Sequence, residues 1–583
     1  MGTSAEVPLS PELASHEDKA RRDMGRVVRE DAARRDNERD AEPSPELAAR
    51  LAAPFLVLLA LLLRYACSLH PYSGHAQPPM FGDYEAHRHW AEITVNLPAR
   101  AWYAQGADND LHYWGIDYPP LSAFLSWLVG TLAQRTHPQL VALHTSRGHE
   151  SAPTKLLMRG SVLAVDLLVY FPAVLLLARA RGGSGRVRAL ALAGLLLQPA
   201  LWLVDHGHFQ YNCASLGFAL GAEALTLLAS KGGGAQPCGS PAPLRLRALL
   251  PAAFLFCLAL NFKQMSLYYA PAFFCHMLGL CLSRPTWRGR AGTVLALGLV
   301  VVGTFVLCWL PFLAGGAPAV RAVLSRLFPV QRGLYEDKVA NVWCTLSVLP
   351  GLKLRANASA SHALRLSLAA VLASLGLPAA SMLRRPSERA FELGLVCCAL
   401  SFFLFSFQVH EKHILLALAP ASALLGEAPV LVGWLCAIGC FSMFPLLERD
   451  GLAIAYVGGL AVLCALVAAA RALAPADRDT DRDADRGLSG ENWLEGWLRA
   501  GARALPLLVS GSALGMGALH AAAALVRAPA RYPDLHQYLF CAYACAHFCT
   551  AWLALQAWHA CHLLGWRYGG ECGGRHALRK KGN

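Results

Sequence analysis

The chain has 583 residues, of which 55% are hydrophobic and 16% charged, with 52 Lys and Arg against 39 Asp and Glu for a net charge of +13. Soluble chains carry about 25% charged residues, so this composition excludes a soluble globular protein. The positive excess is no sign of a nucleic-acid partner, because the Arg and Lys sit in short connections between apolar runs, the positive-inside pattern of a membrane protein.

Apolar runs of membrane length recur from Leu51 to Leu564. They are long, rich in Leu and Ala and not alternating, which predicts spanning helices rather than barrel strands. The 18 Cys fit the same reading. Most lie inside these runs (Cys257, Cys275, Cys281, Cys308, Cys397, Cys398, Cys436, Cys440), where a thiol acts as a small hydrophobe. Cys541, Cys545, Cys549 and His547 share one helical stretch without a second ligand cluster, so packing is expected there and no metal.

Residues 1–48 are polar and Arg-rich and read as a disordered cytosolic tail. The first span, near 51–69, leads to a polar interval, Phe81–Leu121, on the far side. That interval holds Asp83, Glu85, Glu92, Asp108, Asp110 and Asp117 with interspersed His, Trp and Tyr. The run 121–133 is short, and whether it spans is left open. Further spans are predicted near 156–178, 189–204, 213–229, 248–262, 267–283, 292–312, 363–383, 391–408, 414–426, 429–446, 452–470, 502–526 and 538–560. Basic exits such as RARGGSGRVR (179–188) and SRPTWRGR (283–290) belong on the cytosolic side. The count of about fourteen places both termini in the cytosol. The predicted organisation is a tail (1–48), a transmembrane catalytic core (49–470) with a long first luminal loop (70–120), a charged cytosolic linker (471–500), and a C-terminal pair of spans with a basic tail (501–583). Lys580 and Lys581, four and three residues from the end, resemble a dilysine retrieval signal of the endoplasmic reticulum.

With this topology the polar clusters collect on one face: the Asp83 segment, DHGHFQYN (205–212), NFKQ (261–264), Arg321–Asn341 and HEKH (410–413). A transporter is expected to carry ionisable groups at mid-membrane depth along a pathway. Groups capping span ends on one face point instead to an enzyme working at the membrane surface. Cations there (Lys263, Arg326, Arg332, His410, Lys412) with a carboxylate-rich segment suit a lipid-phosphate donor. A phosphate leaving group needs charge stabilisation, and an inverting sugar transfer needs one carboxylate as base. Lys263 also reads as a snorkelling Lys, and Glu411 as an ion-pair partner for His410 and Lys412. The aromatics Trp90, Trp102, Tyr103, Tyr113 and Trp114 read either as sugar platforms or as an interfacial belt. Asn357-Ala358-Ser359 is a glycosylation sequon.

The stretches GDYEAHRHWAEIT (82–94), LHYWGIDYPPL (111–121), LHTSRGHES (143–151), DHGHFQYN (205–212), NFKQMSLYYAPAFF (261–274), RLFPVQRGLYEDKVANVWC (326–344) and CALSFFLFSFQVHEKHILL (398–416) together resemble the endoplasmic-reticulum glucosyltransferases that use dolichyl phosphate glucose. The likeness is strongest to the branch that adds the first glucose, and covers roughly 70–450. It implies an all-α polytopic GT-C-type fold and transfer of glucose from dolichyl phosphate glucose to Man9GlcNAc2-PP-dolichol, with inversion, to an α-1,3 bond. It also implies an active site in the lumen and no nucleotide sugar; with cationic side chains to stabilise the charge, no metal or other cofactor is expected. The family's catalytic carboxylate in the first luminal loop falls on Asp83, with Glu85 and Asp117 as competitors. His410, Lys412, Lys263, Arg326 and Arg332 are expected at the donor phosphate, and Trp90, His89, Tyr113, Trp114, His208 and Gln210 at the glycan. His413 departs from the small residue more usual after HEK. The sister branch, which adds the second glucose, shares the HFQ and HEK elements. A lipid-linked sugar transporter is the alternative of another class.

Overall fold

The computed structural model describes residues 45–230, 245–328, 338–348, 360–473 and 493–565, with side chains undescribed at 45–51, 360 and 493–504. The chain divides into two units, 1–55 and 56–583. Of the first, the described part is the opening of a helix, α1 (Pro45–Ser68). Everything below concerns the second.

All regular structure among the described residues is helical. After α1 come α2 (Asp83–Asn96), α3 (Pro120–Thr136), α4 (Ala152–Ala180), α5 (Gly185–Phe209), α6 (Asn212–Ser230), α7 (Leu246–Phe262), α8 (Gln264–Leu282) and α9 (Trp287–Ala314). Then follow α10 (Gly316–Leu327), α11 (Val342–Val348), α12 (Ala360–Arg384), α13 (Glu388–Phe405), α14 (Leu415–Ser422) and α15 (Pro429–Ser442). The chain closes with α16 (Phe444–Arg449), α17 (Ala453–Ala472), α18 (Trp493–Leu525) and α19 (Leu535–Leu564). Each of the fourteen apolar runs expected to span falls on one of these helices. Among the described residues nine helices are long and apolar enough to cross a membrane, and α1, α7 and α15 are shorter apolar helices. The protein is therefore a multi-span membrane protein. Helix α3, which covers the run 121–133, is not among the nine; it lies along α2.

Burial sorts the helices. α9 is apolar all round and leaves Leu295, Leu299, Val302 and Leu307 uncovered, as a lipid-facing helix does. α5 and α6 are buried over most of their length, with α6 packed between α4 and α7. Within α4 and α5 the helix loosens into π-helical turns, Asp166–Tyr170 and Leu203–Phe209. Such turns recur at functional sites. A buried ion cluster sits beside them: Arg64 Nε donates to Asp166 Oδ2 at 2.8 Å, His206 Nε2 lies 2.5 Å from the same oxygen, and Arg64 also reaches the Leu196 carbonyl at 2.9 Å. The charges are paired, which buried charges require.

The interval read as a polar loop opens with a buried helix, α2. Residues Tyr84–Thr94 of α2 are all buried, and the spacing of the charges explains how. Arg88 stands at i+3 from Glu85 and i−4 from Glu92, so all three share a face. The Arg88 guanidinium donates to Glu85 Oε1 and Oε2 at 2.7 Å each, to Glu92 Oε2 at 2.8 Å, to the Leu140 carbonyl at 3.0 Å and to Ser146 Oγ at 2.5 Å. Its other face joins a core of Trp90, Ile93, Trp102, Tyr103, Ile116, Phe312, Val323 and Leu327, which ties α2 to α9 and α10. The Cys-rich stretch of α19 is packing: His547 bonds to the Tyr543 carbonyl and Ser512 Oγ, and Cys541 donates to the Lys338 carbonyl.

Candidate active site

Asp83 is the first residue of α2, where the helix dipole favours a carboxylate. The residue before it has to be glycine. Gly82 sits at φ +105°, and a Cβ there would lie 2.8 Å from the Ser73 carbonyl carbon and 2.9 Å from the Gly74 nitrogen. This backbone-on-backbone approach packs the 73–74 turn against the helix start, and Ser73 Oγ accepts from the Asp83 N–H at 3.3 Å.

Three side chains converge on one oxygen of Asp83. Lys412 Nζ donates to Oδ2 at 2.6 Å, His208 Nε2 lies 2.9 Å away, and Gln210 Nε2 donates to the same atom. Lys412 comes from the short turn Glu411–Ile414 that follows α13. His208 lies in the π-helical turn that ends α5. Phe209, fully buried at φ +92°, breaks that turn, and Gln210 is extended. The turn carries His208 and the chain leaves it through Gln210, and both side chains reach Asp83 Oδ2. A bulky residue at positive φ is strained, and here the strain sits between the two ligands of the carboxylate.

A second layer surrounds this cluster. Lys263, in the break between α7 and α8, donates to Gln210 Oε1 and Asn212 Oδ1 at 2.8 Å each and lies 4.6 Å from the centre of the Tyr118 ring. Asp205 accepts from Asn212 Nδ2 at 2.7 Å and from the Cys213 N–H at 2.6 Å, which fixes the start of α6. Behind His208, its Nδ1 contacts Asp450 Oδ2.

The electrostatics follow from this packing. Burial pushes the Asp83 carboxyl up, but the charge beside it, the Lys412 ammonium before all else, outweighs burial and holds the group well below the usual carboxylate range. Burial alone lowers Lys412, yet the Asp83 and Glu411 carboxylates raise it above an ordinary lysine. Glu411 is brought down to about 2, burial being overcome by His410 and Lys412.

The structure thus brings together Asp83, His208, Gln210, Lys263 and Lys412, and sets other sequence candidates apart. Glu85 is enclosed, with both oxygens on Arg88 and one also accepting from Tyr113 Oη at 2.7 Å. Expected as a competing base, it is tied instead into the ion cluster that holds α2. Trp90 and His89 were expected at the glycan, but both are buried: Trp90 Nε1 donates to the Trp114 carbonyl at 2.8 Å and His89 Nδ1 lies 3.1 Å from Glu92. No face of either is left for a sugar to stack on. Tyr113 carries the Arg147 guanidinium 4.4 Å from its ring centre, and Trp114, at φ +50°, donates to the Met80 carbonyl. Arg326 donates to the backbone carbonyls of Gly115 at 2.6 Å and Ile116 at 3.1 Å, and so shapes the segment before Asp117. The Asp117 carbonyl accepts from Gln264 at 2.9 Å. His410 lies beside Glu411 at 3.8 Å. His413 is buried and bonded to Tyr268 Oη at 3.0 Å. Arg332, Asn357, the linker 476–487 and Lys580-Lys581 lie outside the described residues. Two site residues went unremarked in the sequence, Arg88 and Asp450. The i−3/i+4 acids around Arg88 were its signal. Asp450 had a positional one, as an acid in the short turn between two apolar runs.

A carboxylate held by a lysine, a histidine and a glutamine, with a second lysine on that glutamine, where several spans end, is the kind of charged centre a membrane-embedded enzyme carries. Residues 56–554 match the ALG6, ALG8 glycosyltransferase family, and the chain belongs to it. The chain is 43% identical over 498 residues to the dolichyl pyrophosphate Man9GlcNAc2 alpha-1,3-glucosyltransferase of Gallus gallus, covering 84% of this chain and 93% of that one. The Rattus norvegicus protein of the same name is 47% identical over 68% of this chain and 74% of its own. The probable Arabidopsis thaliana counterpart is 46% identical over 69% and 72%. ArnT from Cupriavidus metallidurans, solved with undecaprenyl phosphate, aligns over 88% of this chain and 77% of its own at 16% identity with a TM-score of 0.37.

Proposed function

We propose that this glycosyltransferase moves glucose from dolichyl phosphate glucose to Man9GlcNAc2-PP-dolichol, forming an α-1,3 bond with inversion, on a GT-C-type scaffold in the endoplasmic-reticulum membrane. Its reaction centre faces the lumen and its termini the cytosol. The observation that carries the reading is Asp83, a carboxylate at a helix start with Lys412 at 2.6 Å, in a chain that matches relatives of this name over most of their length.

The chemistry follows from the residues. Asp83 takes the proton from the acceptor mannose hydroxyl as its oxygen attacks the anomeric carbon of glucose. The bond from that carbon to the donor phosphate breaks on the opposite face, and the electron pair leaves with dolichyl phosphate. Lys412 neutralises the phosphate charge, with Lys263 as the next cation behind it. Since side-chain cations supply the charge stabilisation, activity is expected to persist in chelator, with no metal or other cofactor. The glycan is held by the exposed parts of the segment around Trp114, and Asp117 orients that segment.

The test is transfer from dolichyl phosphate glucose by the purified protein to defined acceptors. Glucose incorporation into the Man9 acceptor, lost in Asp83→Asn, is expected. Preference for the Glc1Man9 acceptor assigns the sister reaction instead. Movement of lipid-linked sugar across proteoliposomes with no glycan product assigns transport.

A further inference from the structure

The Nε2 atom of His208 has two neighbours that ask opposite things of it. Lys412 Nζ lies 3.1 Å away, and an ammonium only donates, so Nε2 meets it with a lone pair. Asp83 Oδ2 lies 2.9 Å away, and a carboxylate only accepts, so Nε2 meets it with a proton. Nδ1 has no such choice. It faces Asp450 Oδ2, and both groups are almost fully buried, so Nδ1 carries a proton in either state. Asp450 is set there by the turn ending α16: its N–H bonds to the Leu446 carbonyl at 3.2 Å, and Gly451 at φ +74° follows against Pro71. The other side of His208 is fixed as well. Its carbonyl accepts from the Ser73 N–H at 3.0 Å, and Arg159 holds the neighbouring carbonyls of His206 and Gly207.

We propose that Asp83, His208 and Asp450 form a proton relay in which Asp450 is a positioning residue and His208 is the final acceptor of the proton that Asp83 removes. The relay rests on Asp83 as base. At rest His208 is neutral, with Nδ1–H on Asp450 and the Nε2 lone pair on Lys412. During transfer the acceptor O–H bond breaks and its proton goes to the Asp83 carboxylate, while the acceptor oxygen bonds to the anomeric carbon and dolichyl phosphate departs with the electron pair. The Asp83 proton then passes to Nε2, leaving an imidazolium between two carboxylates, and is released to water after the products leave. The relay answers a problem the site poses. A carboxylate held far below its usual range by Lys412 keeps a proton poorly, so a better base directly behind it lets the transfer finish. Asp450 plays the part of the buried carboxylate that fixes a catalytic imidazole's tautomer.

The groups facing His208 from every packed element are Asp83, Lys412 and Asp450, with Arg159 on the adjoining carbonyls. Since Asp450 favours the imidazolium, its loss lowers the pH at which His208 charges. The experiment uses the full-length protein in lipid nanodiscs with dolichyl phosphate glucose and the Man9 acceptor, comparing Asp450→Asn, Asp450→Glu and Asp83→Asn. Asp450→Asn is expected to lower kcat by about 10²- to 10⁴-fold, the range seen when such a carboxylate becomes an amide. KM for both substrates is expected to hold, the acid limb of kcat/KM to move down by about a pH unit or more, and Asp450→Glu to recover part of the rate. Wild-type turnover and an unshifted acid limb in Asp450→Asn overturn the relay. So does a loss of activity that tracks the folded fraction and is not recovered by Glu. If Asp83→Asn itself turns over near normally, the assignment of the base is what fails, and that result is distinct from a dead Asp83→Asn beside a fully active Asp450→Asn.

Discussion

Replacing Arg88 by Met tests how the reaction centre is held. Met fits the volume of the alkyl stem but returns none of the five hydrogen bonds the guanidinium makes. Glu85 and Glu92 are left beside each other with side chains 2% and 0% exposed. Removing one partner of a buried ion cluster costs about 3–5 kcal/mol, because the remaining charge is stranded. Here two carboxylates share one cation, so the upper part of that range is expected. The loss has a pH signature. Burial raises Glu92, but His89 and Arg88 bring it down to about 2. A carboxyl depressed on folding adds stability that is complete above its unfolded value and is lost as pH falls through the folded one. The wild-type contribution therefore fades from about pH 4.5 towards 2. Without Arg88 the Glu92 carboxyl climbs, so the deficit of the variant shrinks as pH falls. The assay is thermal unfolding in detergent at pH 7.5 and pH 5, with transfer activity alongside, since α2 begins at Asp83. The triple change Arg88→Met, Glu85→Gln, Glu92→Gln is expected to recover most of the stability, as neutral replacements of buried ion clusters often do. An Arg88→Met protein within about 1 kcal/mol of wild type, or a triple variant no better than the single one, would refute the view that this cluster holds the helix.

Three further outcomes are expected. Lys412→Met removes the main influence lowering Asp83 and a cation beside His208, so the acid limb of kcat/KM moves up by about 1–3 pH units, opposite to the shift for Asp450→Asn; pH profiles of residual activity check it. Gly82→Ala places a Cβ against the 73–74 backbone at positive φ, so kcat falls with a midpoint lowered by the equivalent of about 1–3 kcal/mol, whereas Gly106→Ala, where a Cβ meets nothing within 4 Å, is neutral in both assays. Asp83→Asn frees Lys412 and tightens dolichyl phosphate glucose binding by up to about tenfold, the equivalent of about 1.4 kcal/mol; a direct binding measurement showing equal or weaker affinity contradicts this.

The helical framework was legible because membrane spans are written in long apolar runs, and each predicted run lies on a helix. The gathering of Asp83, His208, Gln210, Lys263 and Lys412 was legible too, since the polar clusters recur at the ends of the same apolar runs. The convergence of Asp83 with HFQ and HEK followed from that clustering, with Lys412 and His208 arriving from segments 329 and 125 positions away. What failed to show was depth. Polarity marked 81–121 as part of a long loop, but Arg88 satisfies two acids internally, so its charged start folds as a buried helix. Hydropathy averages charge and cannot register that charges three and four apart cancel. Nor can it show that Trp90 and His89, beside these acids, face inwards, or that α5 ends in a π-helical turn, which depends on how Phe209 packs.

The position of Lys412 explains why a carboxylate so poorly basic at rest serves as a base. Its ammonium sits on Asp83 and beside His208, and in the proposed reaction the same ammonium neutralises the leaving phosphate. A phosphate arriving in this partly buried site competes for the same ammonium, and charge-assisted hydrogen bonds of about 1.5–3 kcal/mol stand on both sides of that competition. On the proposed mechanism, a Lys412 that turned to the phosphate would leave Asp83 buried without its main counter-charge, and the carboxylate's proton affinity would rise. The base would then be strengthened only with donor bound. Ion pairing at rest and catalysis in the loaded state are two uses of one lysine, which is why substitutions at Asp83, Lys412 and Asp450 are expected to interact rather than add.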